Sequence, residues 1–162
     1  MISAQQVIDT LGLIPLEDEG GMYRNSYNSE DLVGTKPICT AIYYLLTENT
    51  FSHLHRLASD ELYHFYLGDP MELVQIDTHG TLKTIVLGQD ILAGQQVQAV
   101  VTKEIWQGSR LLPGGKFALV GTTMAPGYVQ EEYEHANAAE LCRQYPAISE
   151  TIARFTGDVS YF

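Results

Sequence analysis

The stretch Phe51 to Leu73, FSHLHRLASDELYHFYLGDPMEL, decides the fold. It sets two runs of strand-forming residues, FSHLHRL and ELYHFYL, on either side of a polar break and ends them at a Gly-Asp-Pro turn. On a strand, side chains two apart share a face, so His53 and His55 are predicted to converge on one point, with Glu61 joining them from the next strand. Two imidazoles and a carboxylate form a candidate site for one divalent metal ion. The same spacing also suits two hydrogen-bonded histidines and a Glu61 that belongs to a solvated Ser-Asp-Glu turn. Continued alternation from Glu61 puts Tyr63 and Phe65 on its face, walling a pocket beside it, and turns His64 to the opposite face. A bulge between Glu61 and His64 would restore convergence. Without one, His64 packs between layers or at a subunit contact, where it needs a hydrogen-bond partner.

Working outward, similar short runs recur: ICTAIYYLLT before this block, then MELVQID, LKTIVLG, QQVQAVVT and KFALVGTTM after it, with turn-like GDP, THG and LPGG between them. That pattern predicts an all-β sandwich or barrel. Ser3 is placed to cap a short helix, AQQVIDTLG, with Val7, Ile8 and Leu11 at helical spacing and Gly12 as its stop. The segment AELCRQYPAISETIARF reads as two short helices, with Pro146 opening the second. MYRNSYNSEDL, after the Gly20-Gly21 bend, reads as an irregular strand or arm. No repeat, low-complexity tract or linker divides the 162 residues, which are read as one domain.

Nine Lys and Arg stand against twenty Asp and Glu, a formal net charge of −11. A polyphosphate backbone is bound through cations, so nucleic acid is an unfavourable partner. Cys39 and Cys142 form no CxxC pair and suit a reducing compartment, and no apolar run approaches the roughly 18 residues of a membrane span. With an N-terminus that lacks the pattern of a signal peptide, the expectation is a cytoplasmic protein with no membrane partner. The ten tyrosines suit a half-wet pocket or a subunit interface.

Arg24, among the tyrosines of the arm, is a candidate to hold a carboxylate or phosphate of a small ligand, or equally to form a structural ion pair. Tyr43 and Tyr44 fall on opposite faces of their strand, and Tyr43 is taken as a candidate ligand contact. LPGGKF lacks the spacing of a phosphate-binding loop and is read as a hairpin turn. There is no G-x-S-x-G elbow, and neither cysteine has a neighbouring histidine to make it a nucleophile.

The order of these segments resembles the cupin superfamily, small β-barrels whose first motif is HxH, a gap, Glu, six residues and Gly. Here it reads His53-x-His55, five residues, Glu61, six residues, Gly68, with the first gap one residue longer than the family pattern. The second motif, Pro-x-Gly-x-x-His, falls at TKEIWQ, where Thr102, Glu104 and Gln107 stand for Pro, Gly and His. More narrowly the chain resembles the cupin family called domain of unknown function 985, similar in fold to deoxysugar epimerases. The resemblance rests on GGMYR at Gly20 to Arg24, AIYYLL, the HR...SDELYHFYLGDPMEL block, LGQD, Trp106-Gln107 and VGTTMAPGY. Departures are Tyr63 for Trp, Asn25 for Glu, and Tyr128 and Tyr133 for Phe. Gln107 in place of the fourth ligand leaves His53, His55 and Glu61 as at most a three-residue metal set and makes Gln107 a candidate ligand contact.

The resemblance implies a cupin β-barrel (jelly roll) with a short N-terminal helix and C-terminal helices, a homodimer, and a small polar molecule bound in the barrel. Two classes of function compete. One is an isomerase or epimerase acting on a sugar or nucleotide-sugar, with His55 or His64 as base and Tyr63 as proton donor, or with a metal at His53, His55 and Glu61 polarising the substrate. The other is a binding module without turnover. A metal-dependent oxygenase is a further option, since two His and one carboxylate are present in kind.

Overall fold

Alternating apolar residues cannot all be buried by one sheet, and here they are buried by two sheets laid face to face with helices on both outer sides. A computed structural model describes residues 2–162. In chain order the strands are β1 (Ile14–Pro15), β2 (Met22–Asn28), β3 (Leu32–Val33), β4 (Lys36–Pro37), β5 (Thr40–Thr47), β6 (Phe51–Arg56), β7 (Glu61–Gly68), β8 (Met71–Ile76), β9 (Leu82–Leu87), β10 (Gln98–Val101), β11 (Trp106–Leu111), β12 (Phe117–Met124) and β13 (Glu134–His135). The helices are α1 (Ala4–Leu11), α2 (Ala138–Gln144) and α3 (Ser149–Arg154). One sheet has the order β1-β2-β5-β12-β7-β10, the other β13-β6-β11-β8-β9, and β3 and β4 form a separate hairpin. This is a jelly-roll arrangement of two facing sheets.

Between the two sheets lies the main core, in which Tyr44, Tyr63, Phe65 and Val120 of the first sheet meet Met71, Leu73, Ile85 and Leu111 of the second. Outside the first sheet, α1 covers Met22, Leu45, Phe117 and Leu119 with Val7 and Ile8. Outside the second, Leu141, Ile152 and Phe155 cover Leu54, Val74, Ile76 and Trp106. Ser3 and Gln6 cap α1 reciprocally, and Gly12 ends it in the left-handed conformation. No described helix is long and apolar enough to cross a membrane.

Three local expectations are corrected. First, β6 and β7 are not neighbours in one sheet but lie in opposite sheets, so Glu61 faces β6 across the interior. Second, LPGGKF is not a hairpin: it carries the chain from β11 in one sheet to β12 in the other. Third, Trp106–Leu111 is a central strand that the sequence runs did not include. Its inward residues are Gln107, Ser109 and Leu111, two of the three polar, so apolar alternation is weak where the strand is most buried.

Candidate functional site

A cavity of about 460 Å³ opens between the sheets at one end of the core. Its floor and walls are set by regular strands. His55 comes from β6, Glu61 from β7, Thr122 and Met124 from β12, Tyr23 and Asn25 from β2, and Thr40 to Ile42 from β5. Its rim is made of loops, with Asp18 and Glu19 on one side and Tyr128 to Gln130 and Tyr133 on the other.

The structure separates the two histidines of the HxH pair. Gln107 pairs with His55 but Ser109 pairs with Ser52, so β6 carries one more residue than β11 across this interval. That bulge breaks the two-residue alternation between His53 and His55. His55 keeps the interior face, only 2% exposed, and its Nδ1 donates to the His53 carbonyl at 2.7 Å. That bond fixes the tautomer and leaves Nε2 as the atom for the cavity, 3.8 Å from Glu19 Oε2. His53 is turned away from it. Its Nδ1 donates to the Leu54 carbonyl at 2.9 Å, its Nε2 accepts the Gly157 N–H at 3.3 Å, and its ring stacks on His135 with centroids 3.7 Å apart. Burial holds the His53 imidazole below its ordinary value of 6.5, with the Leu54 carbonyl opposing and His135 and His55 adding to the depression. A ring whose two nitrogens are both engaged with backbone has none to offer a ligand.

Glu61 is 7% exposed and lines the cavity. Gln107 reaches across from the opposite sheet and donates Nε2–H to Glu61 Oε2 at 2.8 Å, while its Oε1 accepts the Tyr63 hydroxyl at 2.9 Å. The Tyr63 proton therefore sets the orientation of the amide, and the amide sets the rotamer of the carboxyl. Burial pushes the Glu61 carboxyl above its ordinary value of 4.5; nearby His55 pulls it down, Glu19 pushes it up, and Thr122 and Gln107 pull it down. A carboxyl raised in this way sits closer to neutral pH, where it can both take and give a proton. Burial also holds Tyr63 well above its ordinary value, with Glu61 adding to the rise, so it stays a hydrogen-bond donor.

The other candidates lie elsewhere. The bulge in β7 falls at Tyr66, since Leu119 pairs with Leu67 and Val120 with Phe65. It comes after His64, which therefore remains on the outer face of the sheet, bonded to Thr123 Oγ1 at 3.1 Å and Gln98 Nε2 at 3.2 Å. His64 is not among the residues that line the cavity. Arg24 donates to the Leu11 carbonyl at 2.9 Å and closes the C-terminal end of α1. Tyr43 packs on the α1 side and edge-on to Tyr66, while Tyr44 takes the interior and donates to the Gly20 carbonyl at 2.8 Å. Phe65 and Tyr63 are core residues, Tyr63 acting on the cavity only through Gln107.

The rim was not legible as a site. Gly20 and Gly21 both have positive φ, and a Cβ on Gly20 would stand 2.5 Å from the Phe51 carbonyl oxygen, one on Gly21 2.8 Å from that of Leu45. Only glycines fit this bend, which fixes Glu19 in front of it. Glu19 Oε1 accepts from Ser52 Oγ at 2.5 Å, and the Glu19 carbonyl accepts the His53 N–H. On the other side, Gln130 accepts from the Tyr128 hydroxyl at 2.7 Å and donates to Asp18 Oδ2 at 3.1 Å. The Tyr133 ring lies against His55, centroids 5.2 Å apart, and Lys36 ties this flap down by pairing with Glu132. Burial, with Glu19 and Asp18 adding to it, raises both the Tyr128 and the Tyr133 hydroxyls above their ordinary range.

The profile described as Cupin superfamily (DUF985) matches residues 5–136. The chain belongs to this cupin family. A crystal structure of a Shewanella oneidensis protein superposes with a TM-score of 0.92 at 31% identity, covering 98% of this chain and 99% of that one. A hypothetical protein from Leishmania major gives 0.89 at 26% identity over 99% and 100%. Oxalate decarboxylase from Bacillus subtilis gives 0.59 at 14% identity, over 91% of this chain and 37% of that one, which is likeness of fold alone. No curated protein matches the chain.

That Bacillus enzyme has Mn(II) centres. In the present cupin the donors do not fit such an ion as they are folded. His53 is committed to backbone, Gln107 supplies an amide that is already donating to Glu61, and no described group of three or more His, Cys, Asp or Glu side chains is disposed to hold a metal.

Proposed function

We propose that the cavity binds a small polar molecule and moves a proton on it without a resident metal, in the manner of an isomerase or epimerase of hydroxy-carbonyl compounds. The observation that carries this reading is the buried Glu61 carboxyl, held by the Tyr63–Gln107 chain at the floor of an open-ended cavity and raised by desolvation. Such chemistry needs one group to remove a proton next to a carbonyl and another to stabilise or protonate the oxygen. Glu61 serves as the acid and base. His55, whose Nε2 is directed at the cavity by the Nδ1–H bond to the His53 carbonyl, serves as its counterpart. Gln107 and Tyr63 are positioning residues, since they act through Glu61.

The experiment is to follow, by NMR in deuterated water, solvent hydrogen appearing at the carbon next to the carbonyl across a set of small aldoses, ketoses and their amino derivatives, with a chelator present. Incorporation that survives the chelator and is lost in Glu61→Gln supports the proposal. Incorporation that needs an added divalent ion, or that persists in Glu61→Gln, contradicts it.

A further inference from the structure

The cavity has a charge character that the fold does not require. Its titratable lining residues are Asp18, Glu19, Glu61, His55 and the tyrosines, and neither Lys nor Arg is among the residues that line it. The chain does place cations close by, but each is used elsewhere. Lys36 pairs with Glu132 and donates to Ser59, Arg56 binds Glu134 through two nitrogens over the Trp106 ring, and Arg24 caps α1. A phosphate or carboxylate entering the cavity would meet carboxylates with no cation to offset them, in surroundings where charge repulsion is strengthened by burial. A nucleotide-sugar is therefore a poor match.

A second observation points the same way. His55 is 98% buried by its side-chain exposure of 2%, and it spends its Nδ1 proton on the His53 carbonyl. His55 lines the cavity, and its Nε2 makes no hydrogen bond among the described residues and stands 3.8 Å from Glu19 Oε2. In this tautomer Nε2 is an acceptor, so it calls for a donor from the ligand. Glu19 offers a second acceptor beside it. Tyr128 and Tyr133 at the rim and Tyr23 on the β2 wall add aromatic rings, a lining suited to a cation.

We infer that the ligand of this cavity is a small organic cation, a hydroxyl-bearing molecule with a protonated amine seated between Glu19, Asp18 and the tyrosine rim. The inference deepens the proposed function by naming the class of molecule, and it rests on the same cavity being the ligand site. The amine is held at the rim, while its hydroxyl-bearing carbons reach down to His55 Nε2 and Glu61. A cavity of about 460 Å³ has room for a molecule of hexose size.

The test is thermal denaturation of the full chain against matched sets of small hydroxylated primary amines, their neutral alcohol counterparts and their carboxylate counterparts, with glucosamine, glucose and glucuronate as one such triplet. Amines are expected to raise the melting temperature and carboxylates to leave it unchanged. By calorimetry the strongest amine is expected to bind about tenfold more weakly to Glu19→Gln or Asp18→Asn, two variants that also guard against one failing to fold. The inference is overturned if the carboxylate or neutral set stabilises most, if no amine stabilises, or if neither variant weakens the strongest amine. Deuterium incorporation separates this from the proposed chemistry. An amine that binds without exchange leaves the cation inference standing and removes proton transfer, whereas exchange on a neutral sugar with no preference for amines does the reverse.

Discussion

The floor and the rim of the cavity are built on different physics. At the floor Glu61 is locked from behind by Gln107 of the opposite sheet, itself held by Tyr63, through two buried hydrogen bonds of 2.8 and 2.9 Å. The rim is two loops, one pinned by a double-glycine bend and one tied down by Lys36–Glu132 and Gln130–Asp18 contacts. A locked floor fixes the direction of one carboxyl, which is what a positioned proton transfer needs. A rim of charges and rings on loops decides what comes in. Changes at the floor should therefore act on turnover and on stability against pH, and changes at the rim on which ligand binds.

The largest effect expected is on turnover in Glu61→Gln. Losing a positioned acid–base group costs on the order of 10³-fold in rate, measured as solvent deuterium incorporation, while ligand affinity changes little. An equal loss of affinity would erase the division between floor and rim. Next, Gly20→Ala forces a side chain into a φ of +99° with its Cβ 2.5 Å from a backbone oxygen. It should lower stability by roughly 2–3 kcal/mol in urea denaturation and misplace Glu19. Tyr63→Phe removes the proton that orients Gln107. It should cost about 1–3 kcal/mol and lower turnover without touching the substrate.

Two pH dependences sharpen the same contrast. The folded-state value of Glu61 is raised, so the folded protein holds a proton that the unfolded chain has released. Stability then declines as pH rises from about 4.5 toward the raised value, and Glu61→Gln should not show this decline. His53 is depressed instead, so its contribution is present above its ordinary value of 6.5 and is lost as pH falls through the lower folded value. Protonation would also remove the acceptor for the Gly157 N–H. Urea midpoints measured from acid to neutral pH should show the second slope flatten in His53→Asn. The smallest change is Glu104→Gly. Glu104 adopts φ +66° in the turn leading into β11, at the place where the family motif has glycine. Relieving that conformation should raise stability by about 0.5–1 kcal/mol without altering ligand preference.

How far the sequence reveals this molecule follows the same division. β5 and β12 are near-continuous strand-forming runs bounded by turn signals and β7 alternates, so the sandwich and the shared orientation of Glu61, Tyr63 and Phe65 could be read directly, and the motif order pointed to the cupin family. The HxH pair misled because a single extra residue in β6 reverses a face, and nothing in FSHLHR marks where that residue falls. For β11 the signal was faint, because two of its three inward positions, Gln107 and Ser109, are polar and only Leu111 is apolar. The rim carries no periodicity at all. DEGG announces a bend, but only the close approach to Phe51 and Leu45 shows that the bend delivers Glu19 to His55. Tyr128 and Tyr133 could be noted as substitutions for phenylalanine, and their place at the cavity mouth depends on where the chain returns after β12.

The most direct test of the account is a carbon-13 NMR titration of the Glu61 side-chain carboxyl, assigned by its absence in Glu61→Gln. The expected midpoint lies clearly above the ordinary 4.5 and falls back toward it when Gln107 is changed to a residue that opens the floor to water. A midpoint at or below 4.5 in the native chain would mean that Glu61 is an ordinary ionised carboxylate, and the proposed proton transfer at the cavity floor would be contradicted.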